Sequence, residues 1–251
     1  AGSYESLPNA EVKYLIDVDG GRVSSAAKNF SERYKRAPLT ITDFRQALDD
    51  KDIDCVMVAT PDHWHAPAAI MAMAAGKHVY VEKPCSHNPR EGEMLVEAAR
   101  KHKRVCQMGN QRRSWDKIIE GIERVRSGDI GRVYYSKSWC ANSRGATGKR
   151  NPTGNPPANL DWNLWQGPAP RIEYDPIYHP YKWHWFWHFG TGEMGNNGVH
   201  AIDLSRWGLG VDYPSRVSAG GGRYHHDDDQ ETPDTHAVTL DFPGDKTIFW
   251  E

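Results

Sequence analysis

The chain has 251 residues, 31 of them basic and 33 acidic, giving a formal net charge of -2, with 38% hydrophobic and 25% charged side chains. That length allows a sizeable core and two lobes around a cleft, and the even charge balance offers no basic surface of the kind nucleic-acid proteins carry. No apolar run approaches the roughly 20 residues needed to cross a bilayer, so neither a nucleic acid nor a membrane is an expected partner.

Taken in order, Val12 to Val18 (VKYLIDV) reads as a strand ending in Asp17 and Asp19, with Gly20 and Gly21 before a helical pattern from Val23 to Tyr34. Phe44 to Leu48 is a helical fragment. Asp54 to Thr60 (DCVMVAT) is a continuous apolar run stopped by Pro61, as expected for a strand buried on both faces of a parallel sheet. Ala66 to Ala75, His78 to Val81, Pro89 to His102 and Val105 to Met108 continue as helix, strand, helix and strand. Strands alternating with helices predict an α/β fold with a Rossmann-type, doubly wound parallel sheet. Ligands of such sheets lie at the strands' carboxyl ends, which here carry Asp17, the Thr60-Pro61-Asp62-His63 run, Glu82-Lys83-Pro84 and Asn110-Gln111.

No GxGxxG occurs in the alternating strand-helix region, residues 1–110. The expectation is that the first strand and its glycine loop are missing from the chain, with Ala1 to Leu7 the remainder of the helix after that loop. Asp17, with Arg22 beyond it, then sits where an acidic residue takes the adenosine ribose hydroxyls, favouring NAD over NADP. The four cysteines show no CxxC or regular spacing and read as reduced thiols. A cytoplasmic location is expected. An exported, periplasmic form stays open, because the chain starts at Ala1 without a methionine.

Ala59 to His65 (ATPDHWH) and Gly76 to Pro84 (GKHVYVEKP) resemble the Gfo/Idh/MocA (glucose-fructose oxidoreductase/inositol dehydrogenase) family, whose members share an A-T-P-x-x-x-H stretch and, after the next strand, E-K-P. The resemblance implies that Thr60, Pro61, His63 and His65 line the nicotinamide side of a bound NAD. It also implies that Glu82 and Lys83 approach the nicotinamide ribose, with Lys83 contacting the reacting hydroxyl. A lysine in a closed cleft has its charged form disfavoured, which suits proton transfer. Gly190 to Trp207 (GTGEMGNNGVHAIDLSRW) resembles the helix carrying the family's D-x-x-x-H, with Asn196 in place of the aspartate and His200 as the histidine. Asn196 cannot act as a carboxylate, so substrate hydrogen bonding becomes its expected role and His200 the leading general acid/base. Asp203 is expected to orient a neighbour or to pack structurally.

Alternation returns at Arg132 to Trp139, Val217 to Gly220, His236 to Phe242 and Thr247 to Trp250, predicting an α+β domain with a large open, mainly antiparallel sheet. The boundary is placed at 110/111: residues 1–110 bind the dinucleotide, and residues 111–251 bind substrate and, through the open sheet, join a homo-oligomer, a dimer or tetramer. Asn142 to Pro180 reads as a long ordered loop over the site. Arg112, Tyr181, Trp183, His184 and Trp185 are candidate carbohydrate contacts, because aromatic rings stack on apolar sugar faces; core packing explains the same tryptophans equally well. His184 with His188, and His225-His226 before Asp227-Asp228-Asp229, have metal-like composition but incomplete ligand sets, so no metal is expected.

The leading expectation is hydride transfer between a sugar or polyol carbinol and NAD. Two alternatives stay open: a redox-neutral glycosidase or lyase working through a transient keto-sugar, and a non-catalytic dinucleotide or sugar sensor. A chelator-sensitive hydrolase using His184 and His188 is a weaker third.

Overall fold

The computed structural model describes residues 7–141 and 144–251. The helix read over Ala1 to Leu7 therefore falls, but for Leu7, outside the described residues.

Strand β1 (Tyr14–Ile16) leads into helix α1 (Gly20–Tyr34) and then β2 (Leu39–Ile41), which pairs in parallel with β1. Asp19 starts α1: its carboxylate accepts hydrogen bonds from the backbone N–H of Gly21 at 2.9 Å and Arg22 at 3.2 Å, satisfying two donors that a helix start otherwise leaves orphaned. Val23 and Phe30, two turns apart, form the buried stripe of α1.

Beyond the short helix α2 (Arg45–Leu48), a second parallel unit runs through β3 (Cys55–Val58), α3 (Asp62–Ala74), β4 (His78–Val81), α4 (Pro89–His102) and β5 (Cys106–Met108), in the order β3-β4-β5. Asn88 caps α4, accepting from the Glu91 N–H at 3.0 Å while its amide donates back to the Glu91 carboxylate at 2.8 Å. Val58, Val79 and Val81 pack with Ala66, Ala69, Ala72 and Met73 of α3 and with Leu95 and Ala98 of α4, the alanines allowing helix and sheet to approach closely. Both helices cover this one face. Cys55 and Met57 are consequently exposed, where a strand buried on both sides was expected. The pieces β1-β2 and β3-β4-β5 share no hydrogen-bonded strand pair.

Helix α5 (Asp116–Ser127) leads to a four-stranded mixed sheet in the order β6-β9-β8-β7, built from β6 (Tyr135–Ser138), β7 (Arg216–Gly222), β8 (Thr235–Phe242) and β9 (Lys246–Trp250). It is antiparallel except where β6 runs parallel to β9. Helix α7 (Val199–Leu209) packs on it, with Leu209 against Phe242 and Ile248. Between β6 and α7 lie α6 (Trp162–Gln166) and a core of its own: Leu160, Trp162, Trp165, Tyr174, Ile177, Tyr178, Trp183, Trp185, Phe186 and Phe189. Trp162 stacks on Trp165 with centroids 4.7 Å apart, and Phe189 meets Trp165 edge-on at 4.7 Å.

That core absorbs His63, a residue expected beside the cofactor. Its imidazole is 3% exposed, donates from Nε2 to the Trp165 carbonyl at 2.9 Å, and lies 5.0 Å from the Phe189 ring. The α3 turn after Pro61 points this side chain away from the strand-end rim and into the tryptophans. Burial pushes its pKa down to about 4 from an ordinary 6.5. The unfolded chain therefore binds this proton first: stability contributed by neutral His63 is complete above pH 6.5 and falls as pH drops towards 4, by roughly 3 kcal/mol. Urea midpoints from pH 7 to pH 4 are expected to show a flatter decline in His63→Gln than in the wild type; parallel slopes would rule this out.

Candidate active site

The carboxyl ends of β3, β4 and β5 meet the start of α7. Lys83, just past β4, donates from Nζ to both oxygens of Asn196, the backbone carbonyl at 2.8 Å and Oδ1 at 3.1 Å. Asn196 can present both because Met194–Gly198 forms a π-helical turn, a wide turn that recurs at functional sites. The expected single helical face joining Asn196 to His200 is thus a π-turn running into α7.

Burial lowers the pKa of Lys83, opposed by the carboxylates of Asp62, Glu82 and Glu193. His200 is half-buried, its Nδ1 enclosed without a hydrogen-bond partner among the described residues. Its pKa is lowered first by burial, then by the positive charges of Lys83 and Arg112, while Asp203 pulls it back. Asp203 is itself held by Arg113, through two hydrogen bonds of 2.8 Å each.

Residues given no individual role beforehand complete the surroundings. Asp62, 3% exposed at the start of α3, accepts from the Thr191 hydroxyl at 2.6 Å. Glu193 takes the Arg144 guanidinium at 2.7 Å, the Cys140 thiol at 3.3 Å and the Asn197 amide. Arg144 also lies over the Trp185 ring, 4.0 Å from its centroid. Asp62 and Glu193 sit inside the two stretches that carry the family resemblance, but only the fold shows that both carboxylates act on Lys83.

Other expected site residues divide. Thr60, Pro61, Glu82 and Asn110 lie at the strand ends, with Asn110 Oδ1 enclosed and unpartnered among the described residues. Gln111 is exposed and Arg112 partly buried in the 3-10 turn Gln111–Ser114. His65 instead turns inward as a brace, its Nδ1 2.5 Å from the Pro84 carbonyl and its Nε2 2.7 Å from that of Thr60, so it holds the two strand ends together. Trp183 and Trp185 are 8% and 3% exposed, packed as core and closed to a sugar, because apolar burial outweighs any surface role for these rings. Tyr181 is exposed, and His184 stacks on Trp183 at 3.6 Å. His184 and His188 do not share a helix: each faces a backbone carbonyl, Tyr181 and Pro170, at 2.6 Å. The acidic loop after His226 is structural, Arg223 holding both Asp228 and Asp234.

Gly190 lets this segment close up. A Cβ there would come within 2.6 Å of the His184 backbone, which cannot yield as a flexible side chain could. Gly190→Ala is expected to cost about 1–3 kcal/mol, read from the urea midpoint, and to lower activity by displacing the π-turn.

Asp17 and Arg22 belong to a separate open cavity of about 600 Å³, lined also by Asp19, Gly21 and Asn159. The Asp17 carboxylate accepts from the Asp19 N–H at 2.9 Å and faces Arg22 at 3.6 Å, leaving acceptor capacity toward the cavity. The residues fit a dinucleotide at its two ends: Asp17 suits ribose hydroxyls, and the enclosed Asn110 oxygen and Lys83 suit a polar ring. Residues 1–110 contain no glycine-rich phosphate loop of the GxGxxG kind.

Parallel strands whose carboxyl ends gather these groups define a Rossmann-type dinucleotide-binding protein joined to a mixed-sheet domain. Residues 2–110 match the model of the oxidoreductase family with an NAD-binding Rossmann fold, and residues 121–251 match the Gfo/Idh/MocA C-terminal domain. The chain belongs to the Gfo/Idh/MocA family of NAD-binding oxidoreductases. Levoglucosan dehydrogenase of Pseudarthrobacter phenanthrenivorans is 26% identical over 203 residues, covering 79% of this chain and 42% of that protein. An α-N-acetylgalactosaminidase of Shewanella oneidensis is 27% identical over 136 residues, covering 53% of this chain and 30% of that protein. In fold, an aldose-aldose oxidoreductase from Caulobacter crescentus, solved with glycerol, superposes with a TM-score of 0.73 at 20% identity, over 98% of this chain and 64% of that one. The chain thus spans less than half the length of these two sequence relatives. Among the described residues no helix is long and apolar enough to cross a membrane.

Proposed function

We propose that the protein containing this chain oxidises a carbinol of a sugar or polyol, with Lys83, Asn196 and His200 at the reaction centre. The observation that carries this reading is the Lys83 ammonium held by both oxygens of Asn196 on the turn leading to His200, whose Nδ1 is enclosed and unpartnered. NAD, when bound, supplies the hydride acceptor. His200, kept neutral by burial and neighbouring cations, takes the hydroxyl proton. Lys83 donates a hydrogen bond to the same oxygen, and Asn196 fixes the ammonium's direction. The Asp17 carboxylate favours ribose hydroxyls over a 2′-phosphate, hence NAD over NADP.

Residues 1–110 carry the dinucleotide and residues 111–251 the substrate. The outer face of the mixed sheet, where Tyr135 and Trp139 are exposed, is a self-association surface, to be tested by light scattering. All four cysteines are thiols, which suits a reducing cytoplasm.

The test is NADH absorbance while the whole protein meets a panel of aldoses, polyols and glycosides. NADH formed in step with product over many turnovers is expected. A second reading, redox-neutral glycoside cleavage, draws on the similarity to the α-N-acetylgalactosaminidase. It would give cleavage with no net NADH. A protein that does not bind NAD would overturn both.

A further inference from the structure

We propose that the substrate carries an anionic substituent, a carboxylate or a phosphate ester, which the Arg112 guanidinium receives. The inference rests on Lys83 and His200 being the reaction centre, and it names the class of molecule brought there.

The 3-10 turn Gln111–Ser114 continues directly from the end of β5, and its position against α7 is fixed by the two-fold hydrogen bond of Arg113 to Asp203, with Arg113 also over the Trp207 ring at 4.9 Å. Arg112 stands next to that clamp, partly buried and within electrostatic reach of His200. Unlike Arg113, the Arg112 guanidinium has no carboxylate or carbonyl partner among the described residues. A partly desolvated cation without a partner is a cost that the fold does not recover, whereas a ligand anion recovers it.

The charges around His200 point the same way. The groups acting on it are Lys83 and Arg112, both cationic, and Asp203, already committed to Arg113. The other nearby carboxylates act on Lys83 rather than on His200: Asp62, which takes the Thr191 hydroxyl, Glu193, which takes Arg144, and Glu82. The imidazole therefore faces a cationic excess that a negatively charged substrate would cancel. Arginine is suited to the task, since its planar fork meets a carboxylate or phosphate through two parallel hydrogen bonds.

The experiment uses the whole protein with NAD and matched sets of aldoses bearing a hydroxymethyl, a carboxylate or a phosphate ester at one terminal carbon. Calorimetry on the NAD-loaded protein reads binding, and NADH absorbance reads kcat/KM. The expected result is an anionic form favoured over its neutral partner by about 10- to 100-fold, the scale of a charge-assisted hydrogen bond. In Arg112→Met the preference collapses, and in Arg112→Lys it is kept in part. Which anion wins separates the carboxylate from the phosphate source.

The kcat profile adds a signature. With an anionic substrate its acidic limb should lie at higher pH than with a neutral one, because the anion relieves the cations that depress His200. An equal preference in wild type and Arg112→Met, or no binding of any anionic form, overturns the proposal. So does a loss of NAD affinity in Arg112→Met with the preference intact, which would assign Arg112 to the dinucleotide. Turnover of neutral sugars with no anionic preference would leave the oxidoreductase reading standing while removing this one.

Discussion

Lys83→Met in the whole protein is expected to lower kcat by about 10²- to 10⁴-fold, the range removed with a positioned proton-transfer group. Methionine keeps the length and apolar stem of the lysine, so the packing beside the π-turn is preserved while the ammonium that bonds Asn196 at 2.8 and 3.1 Å is gone. Losing that charge also lifts one of the two cationic influences on His200, whose pKa should therefore rise. The acidic limb of the kcat/KM profile is expected to move to higher pH, because neutral His200 is the form that accepts the hydroxyl proton. Steady-state NADH formation across pH measures both effects. A loss below tenfold with an unmoved limb would remove Lys83 from the reaction centre and leave it a surface lysine near Glu82.

The largest effect on stability is expected at Phe189. Its ring is 0% exposed and packs against Trp162, Trp165, Tyr178 and His63 at centroid distances from 4.7 to 6.0 Å. Phe189→Ala is expected to cost about 3–5 kcal/mol, a lost transfer term plus the cavity left among rigid rings. Against a typical stability of roughly 5–15 kcal/mol, that removes a large share. Urea unfolding followed by tryptophan fluorescence measures it. A change under about 1 kcal/mol would mean that the aromatic cluster yields like a surface patch. Activity should fall as well, because Gly190 and Thr191 follow immediately, and Thr191 holds Asp62.

The alternating strands and helices from Val12 to Met108 were legible because a buried apolar run and an amphipathic stripe each leave a period in the residues. So were Lys83, Asn196 and His200, through the two motif stretches. What was not legible depends on contacts between distant segments. The three residues of β2 leave two side chains exposed and carry no apolar run. Helix α5 contains no fully buried residue, although its isoleucines recur at helical spacing. His63 and His65 share one short stretch with Thr60, yet the turn into α3 sends both rings inward. The tryptophans were ambiguous for a physical reason: a ring suited to a sugar face is equally suited to a core. Only the packing of Trp183 and Trp185 decides between them, while Trp187 stays 55% exposed.

The aromatic core has a consequence for the order in which the molecule assembles. Every member comes from one stretch, Leu160 to Phe189, whereas the mixed sheet must bring Tyr135 beside Thr247 from opposite ends of its domain. Closing a short loop loses less chain entropy than closing a long one, and rates follow contact separation. The tryptophan cluster is therefore expected to gather early and to offer a preformed wall on which Val18 and His63 dock, with the sheet closing afterwards. Pulse-labelled hydrogen exchange during refolding would show this as protection of the Trp165 amide before that of Thr247, and the reverse order would refute it.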